Sequence, residues 1–190
     1  MPFLLHLHGY NSSPDSLKVQ QTEQWLRQQD LGIELVCPAL SPFPCEAIGQ
    51  IEKILQTRAG RPIGLVGSSM GGFLATWLAQ KYQLKAALIN PAVRPYRLIE
   101  RILGPNTNSH TGEQFILEPH HLDEFRSFEV DTLDNPQDFL VLLQTGDEVL
   151  DYREAEQKYH DCHLKIEQGG DHGFQHYPRH LPEIIEFLQS

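Results

Sequence analysis

Gly67-Ser68-Ser69-Met70-Gly71 constrains this chain more than any other stretch, because a G-x-S-x-G pattern acquires meaning only where a strand turns sharply into a helix. Both flanks are present. Pro62 to Val66 is an apolar run of strand length, and Gly72 to Tyr82 carries its apolar residues at helical spacing. So sharp a turn admits only small residues two places before and two after the serine, where Gly67 and Gly71 stand. It lifts the Ser69 hydroxyl clear of a sheet and sets the Met70 N–H at a helix N-terminus, where negative charge is stabilised. Ser68 comes one place early, so its side chain points elsewhere. The plain alternative is a glycine-rich turn with an incidental serine.

A nucleophilic serine needs a base, and the base an orienting acid. Where such an elbow serves catalysis, the chain order is serine, acid, histidine. Phe139 to Leu143 reads as a fully buried strand, and Gly146-Asp147 is the turn at its C-terminal end. Asp147 therefore stands at the sheet edge where ligands collect in doubly wound folds. Asp151 competes, but it precedes a helical stretch to Tyr159 and makes a capping pair with Glu154. The catalytic role goes to Asp147.

His163 to Glu167 alternates like a strand, and Gly169-Gly170-Asp171-His172-Gly173 follows as a loop. Of ten histidines, only His172 combines a glycine-flanked loop with the required order. His176 and His180 read as solvated, His120 and His121 lie in a polar segment, and His160 and His163 bracket a turn. An oxyanion site completes the set. Phe3 to Leu7 is an apolar strand running into His8-Gly9-Tyr10-Asn11, so Tyr10 N–H is the expected donor beside Met70 N–H. His6 and His8 share one strand face, yet no carboxylate or cysteine cluster of ligand spacing accompanies them, and no metal is expected.

The segments quoted so far resemble the small bacterial α/β-hydrolases of the YqiA type, an esterase group. Asn90-Pro91-Ala92-Val93-Arg94-Pro95-Tyr96 and Gln144 to Asp151 carry the narrower part of that likeness. The resemblance runs nearly end to end. It implies hydrolysis of carboxylic esters, and of acyl thioesters, without a cofactor. Ser69, Asp147 and His172 then take the triad roles.

Strands are expected near 3–8, 33–37, 62–67, 85–90, 138–145 and 163–168. Helices are expected near 15–29, 46–58, 70–82, 94–103, 151–160 and 180–189. This alternation predicts an α/β fold with a mostly parallel six-stranded sheet covered on both faces; the resemblance implies one single-domain α/β-hydrolase over 1–190. On the hydrolase reading the strand order is 2-1-3-4-5-6, without the usual antiparallel opening hairpin. Residues 103–136 break the rhythm after strand 4, on the carboxyl side of the sheet. Phe115-Ile116-Leu117 and His121 to Phe125 give this insertion enough apolar content to fold over the site as a small lid.

The 190 residues fit one core, and no run approaches the ~18 apolar residues of a membrane span. Met1-Pro2-Phe3 enters a strand directly, without a basic n-region, so a cytoplasmic location is expected. Cys37, Cys45 and Cys162 form no metal pattern and suit free thiols; none sits on an elbow. A formal net charge of −10 makes nucleic acid an improbable partner and a small acyl substrate the natural one. Arg94, Arg97 and Arg101 form a local exception. Arg94 and Arg97 are candidates for a substrate carboxylate or phosphate; the alternative is pairing with neighbours such as Glu100. Two further readings stay open: a hydrolase-fold binding protein without turnover, and the same nucleophile cleaving a C–C or amide bond.

Overall fold

Phe3–Leu7 forms β1, in which all five residues are buried. A strand with no solvated face must be covered on both sides, and the alternation of its side chains assigns them. Phe3, Leu5 and Leu7 join one core with Ile48 and Ile51 of α2 (Pro44–Thr57) and Phe73 and Leu78 of α3 (Met70–Tyr82). Leu4 joins the other, with Leu26 of α1 (Leu17–Gln29) and Ile184 and Leu188 of α7 (Leu181–Gln189). The computed structural model describes residues 1–58 and 61–190.

The remaining strands of the sheet are β2 (Glu34–Val36), β3 (Pro62–Ser68), β4 (Ala86–Ile89), β7 (Phe139–Gln144) and β8 (His163–Glu167). Every pairing among them is parallel, in the spatial order β2-β1-β3-β4-β7-β8. Counted among themselves in chain order, the six strands lie 2-1-3-4-5-6. The central strands β1 and β7 are buried throughout, whereas β8, at the edge, exposes alternate residues. Among the described residues no helix is long and apolar enough to cross a membrane.

Two regions depart from the regular expectation. The helix expected over 94–103 is a single turn, α4 (Tyr96–Ile99), continued as a 3₁₀ turn over Glu100–Ile102. Pro95 and Gly104-Pro105 bracket it too closely for a longer helix. The insertion is more regular than its sequence suggests. β5 (Gly104–Thr107) and β6 (Gln114–Leu117) form an antiparallel hairpin, and α5 (Pro119–Ser127) follows. Asn108 builds the hairpin turn: its Oδ1 accepts the His110 and Thr111 N–H groups, and its Nδ2 donates to Ser12 O at 3.1 Å. Asn11 Oδ1 accepts Ser109 N–H at 2.7 Å. The hairpin tip is thereby fastened to the loop after β1, while Leu117, Leu122 and Phe125 anchor its base in the main core.

Candidate active site

The carboxyl ends of β1, β3, β7 and β8 converge, as expected where ligands bind open parallel sheets. β3 ends at Ser68, and Ser69 turns the chain into α3 with φ 54° and ψ −118°. A non-glycine residue there carries about 1–3 kcal/mol of strain, held by its surroundings. Ser69 N donates to Ile89 O at 3.1 Å, and Ser69 O accepts from Ala92 N at 3.0 Å. The glycines permit the packing. A Cβ at Gly67 would strike the Gly71 backbone, and one at Gly71 would strike Leu7 and His8.

The Ser69 hydroxyl donates to His172 Nε2 at 3.0 Å. His172 Nδ1 donates to both Asp147 carboxylate oxygens at 2.9 Å. Asp147 Oδ1 also accepts the Val149 and Leu150 N–H groups, each at 2.9 Å, and its side chain is only 2% exposed. A buried carboxylate with two backbone donors and an imidazole is held in one orientation. Gly146 lets this happen: its N–H donates to Gly169 O at 2.8 Å, so the loops after β7 and β8 touch.

Asp151 stands elsewhere. It caps α6 (Tyr152–Lys158), its side chain accepting Arg153 N–H at 3.1 Å. Glu154 does not accept the Asp151 N–H in return; its carboxylate accepts from Arg97 Nη1. Ser68 is buried.

Gly9 packs against Ser69, a Cβ there lying 3.3 Å from the serine Cβ. The Tyr10 and Met70 N–H groups donate to no acceptor among the described residues. His8 braces this loop in one tautomer, Nδ1–H donating to Gly9 O at 2.9 Å while Nε2 accepts Leu40 N–H at 3.1 Å. Burial holds the His8 pKa below the ordinary histidine value, which keeps that tautomer neutral. Beside Tyr10 and Met70 is a small hollow of about 30 Å³, walled by Leu40, Leu74, Phe115 and Phe125 together with polar residues such as Asn11, Asn108 and Glu113. At Ser69 itself opens a wider cleft of about 480 Å³, which His172, Lys18 and His176 line.

Arg94 and Arg97 line neither space. Arg94 Nε donates to Glu129 at 3.2 Å and Arg97 Nη1 to Glu154 at 3.1 Å, so they pair with acids, though not with Glu100. In a chain with ten more acids than bases, such pairing is the expected fate of a surface arginine. His180, expected in solvent, is buried with Nε2 3.1 Å from Glu167 Oε1. His121 is buried too, its Nδ1 accepting Glu118 N–H and its ring stacked 4.4 Å from Phe43. Its ligand atoms come within 4.8 Å of those of His120 and Glu124, a spacing a metal ion would tolerate, on α5 and outside the Ser69 cleft. Burial pushes the Cys37 and Cys162 thiols up to about 12, far from nucleophilic poise.

Sequence reasoning missed the braces of the histidine loop. Asn90, at the end of β4 with φ 41°, donates through Nδ2 to Asp171 O at 3.0 Å and accepts Gln144 N–H at 2.9 Å. Gln144 bonds Gln175 through both ends of its amide, at 2.9 and 2.8 Å. Glu148 accepts His172 N–H at 3.0 Å. Their signal was a polar residue ending each buried apolar run.

The fold has solved counterparts. A protein from Agrobacterium vitis S4 superposes with TM-score 0.74 at 20% identity, covering 100% of this chain and 88% of its own. Est1E from Butyrivibrio proteoclasticus, solved with ferulic acid bound, gives 0.73 at 15% identity, covering 100% and 87%. Mouse alpha/beta hydrolase domain-containing protein 10 gives 0.70 at 18% identity, covering 98% and 88%. At these identities the likeness establishes the α/β-hydrolase fold. The sequence itself carries the membership: matched over residues 3–189, the chain belongs to the uncharacterised protein family UPF0227, which includes the YqiA type.

Proposed function

We propose that this chain is a serine esterase acting on small carboxylic esters, thioesters included, through an acyl-enzyme. The observation that carries the reading is the hydrogen-bonded series Ser69–His172–Asp147 built on a strained elbow. As Ser69 Oγ attacks the acyl carbon, His172 Nε2 takes its proton, and Asp147 holds the Nδ1–H tautomer and offsets the imidazolium charge. Tyr10 and Met70 N–H groups receive the oxyanion, supported by their lack of other acceptors. His172 returns the proton to the leaving alkoxide or thiolate; water then attacks the acyl carbon, and Ser69 leaves with the proton restored. The small hollow beside Tyr10 and Met70 suits a short acyl group against Leu74 and Phe125. Residues 1–190 act as one domain in this reading, with 103–136 as a lid whose Phe115 closes edge-on over Tyr10 at 6.1 Å.

The test is labelling with a fluorophosphonate probe and identification of the modified residue, alongside turnover of para-nitrophenyl acetate. Wild type is expected to be labelled at Ser69. Ser69→Ala is expected to lose ~10⁴-fold or more in kcat while melting at nearly the wild-type temperature. Retention of a tenth of wild-type turnover by Ser69→Ala rejects the nucleophile, and failure of the wild type to label leaves a binding protein.

A further inference from the structure

The wide cleft at Ser69 breaks several local rules at once. Lys18 stands in the first turn of α1, where a cation opposes the helix dipole, and that turn contains no acidic residue. Ser16, the N-cap, makes no side-chain capping bond. Ser16, Leu17 and Lys18 all line the cleft that Ser69 and His172 also line. Lys18 Nζ donates to Gly173 O at 2.8 Å, which uses one of its three N–H donors. No carboxylate pairs with it among the described residues. Asp171 and Asp147 act on it through their charge, and they are committed to Gln175 and to His172. Burial pushes the Lys18 pKa below the ordinary lysine value, so the ammonium is held there at a cost that Asp171 and Asp147 only partly offset.

A second observation comes from the cleft wall. His6 of β1 lines the same cleft, is fully buried, and has no hydrogen-bond partner on either ring nitrogen. Buried polar groups are nearly always bonded, so an imidazole left with neither nitrogen partnered, in the wall of a cleft, points to a ligand. His110 and His176 add further donors around the rim.

Orientation follows from the reaction proposed above, on which this inference rests. The leaving group is the one that His172 protonates, so it departs into the cleft that His172 lines; the acyl group takes the small hollow that Tyr10 and Met70 line. We propose that Lys18, the open N-terminus of α1 and His6 form an anion subsite, and that the substrate is a short-chain ester or thioester whose leaving alcohol or thiol carries a carboxylate or phosphate. On a surface of net charge −10, such a site selects anions by local donors and not by long-range attraction.

The experiment compares para-acetoxybenzoate and para-acetoxyphenyl phosphate, both anionic, with neutral para-acetoxybenzamide. For wild type, Lys18→Met, Lys18→Gln and Lys18→Arg, the readout is the ratio of kcat/KM for each anionic ester to that for the amide-bearing one. Differences in intrinsic reactivity, and any general loosening of the His172 loop, cancel in the change of that ratio between variants. Removing the charge is expected to lower the ratio about ten-fold or more, mainly through KM, with Lys18→Arg retaining most of it. The larger drop assigns the anion as carboxylate or phosphate. In parallel, the inert Ser69→Ala protein is titrated calorimetrically with para-hydroxybenzoate and with inorganic phosphate, with and without Lys18→Met. Saturable binding lost with Lys18 supports the subsite even if no ester is turned over, which would reject the esterase reading alone. Turnover of all three esters with an unchanged ratio rejects the subsite and leaves the esterase reading standing.

Discussion

Asp147 and Asp151 lie four residues apart and differ in what surrounds them. Asp147 is enclosed, with two backbone N–H donors and the His172 imidazole on its oxygens; Asp151 is exposed and bonds the start of α6. Asp147→Asn preserves size but presents the imidazole with a donor, favouring the wrong tautomer. Its kcat is expected to fall ~10⁴-fold. Asp151→Asn exchanges one good N-cap for another, so its unfolding free energy from urea titration is expected to change by at most a few tenths of a kcal/mol and its turnover to stay at wild-type level. Equal kinetic damage from the two would reverse the assignment. Sequence order alone separated these acids only by position; burial separates them chemically.

The elements were legible to different degrees, and the differences have causes. β1 and β7 announce themselves because a strand buried on both faces must be apolar throughout. The elbow was legible because its glycines answer to a steric demand of the local chain. That demand can be measured. A methyl at Gly67 meets the Gly71 backbone and the Ala75 side chain, neither of which can retreat without moving α3. Gly67→Ala is expected to cost about 1–3 kcal/mol, read as a lower urea midpoint at unchanged slope. A midpoint equal to wild type means the elbow tolerates the methyl and the steric account is wrong. The hairpin of the insertion was not legible as strands. Gly104-Pro105-Asn106-Thr107 has little intrinsic strand preference, and its pairing with Gln114–Leu117 depends on the Asn108 turn and on anchorage to Asn11 and Ser12.

Across the whole molecule, folding buries histidines that would be protonated in mild acid as free side chains. His6 is the clearest, its pKa lowered by burial from 6.5 to about 3; His8 and His180 are lowered for the same reason. Above pH 6.5 His6 is neutral in both states and its full contribution to stability is present. Below that value the unfolded chain takes up a proton that the native chain refuses, so stability falls as pH drops, by up to about 1.4 kcal/mol per unit until the folded group titrates. His6→Phe is expected to flatten the acid limb of a plot of unfolding free energy against pH, whatever its absolute stability. Parallel limbs for the two proteins would show that His6 is not held neutral.

Local chemistry in the sequence was enough to specify the strands of the main sheet and the elbow, since periodicity and turn sterics act within a few residues; chain order then singled out Asp147 and His172, which the structure brings into hydrogen-bond contact with each other and, through His172, with Ser69. The surroundings of single polar side chains were a different matter. His180 was expected in water and lies against Glu167; Arg94 and Arg97 were candidates for substrate and are paired with Glu129 and Glu154. Lys18 drew no notice beside Ser69, and the Asn90 and Gln144 braces were passed over. Each of these is settled by a partner distant in the chain, from 13 residues for His180 and Glu167 to 155 for Lys18 and Gly173. Burial and hydrogen bonding at such separations are properties of the packed sheet and its loops, so only the tertiary structure decided them.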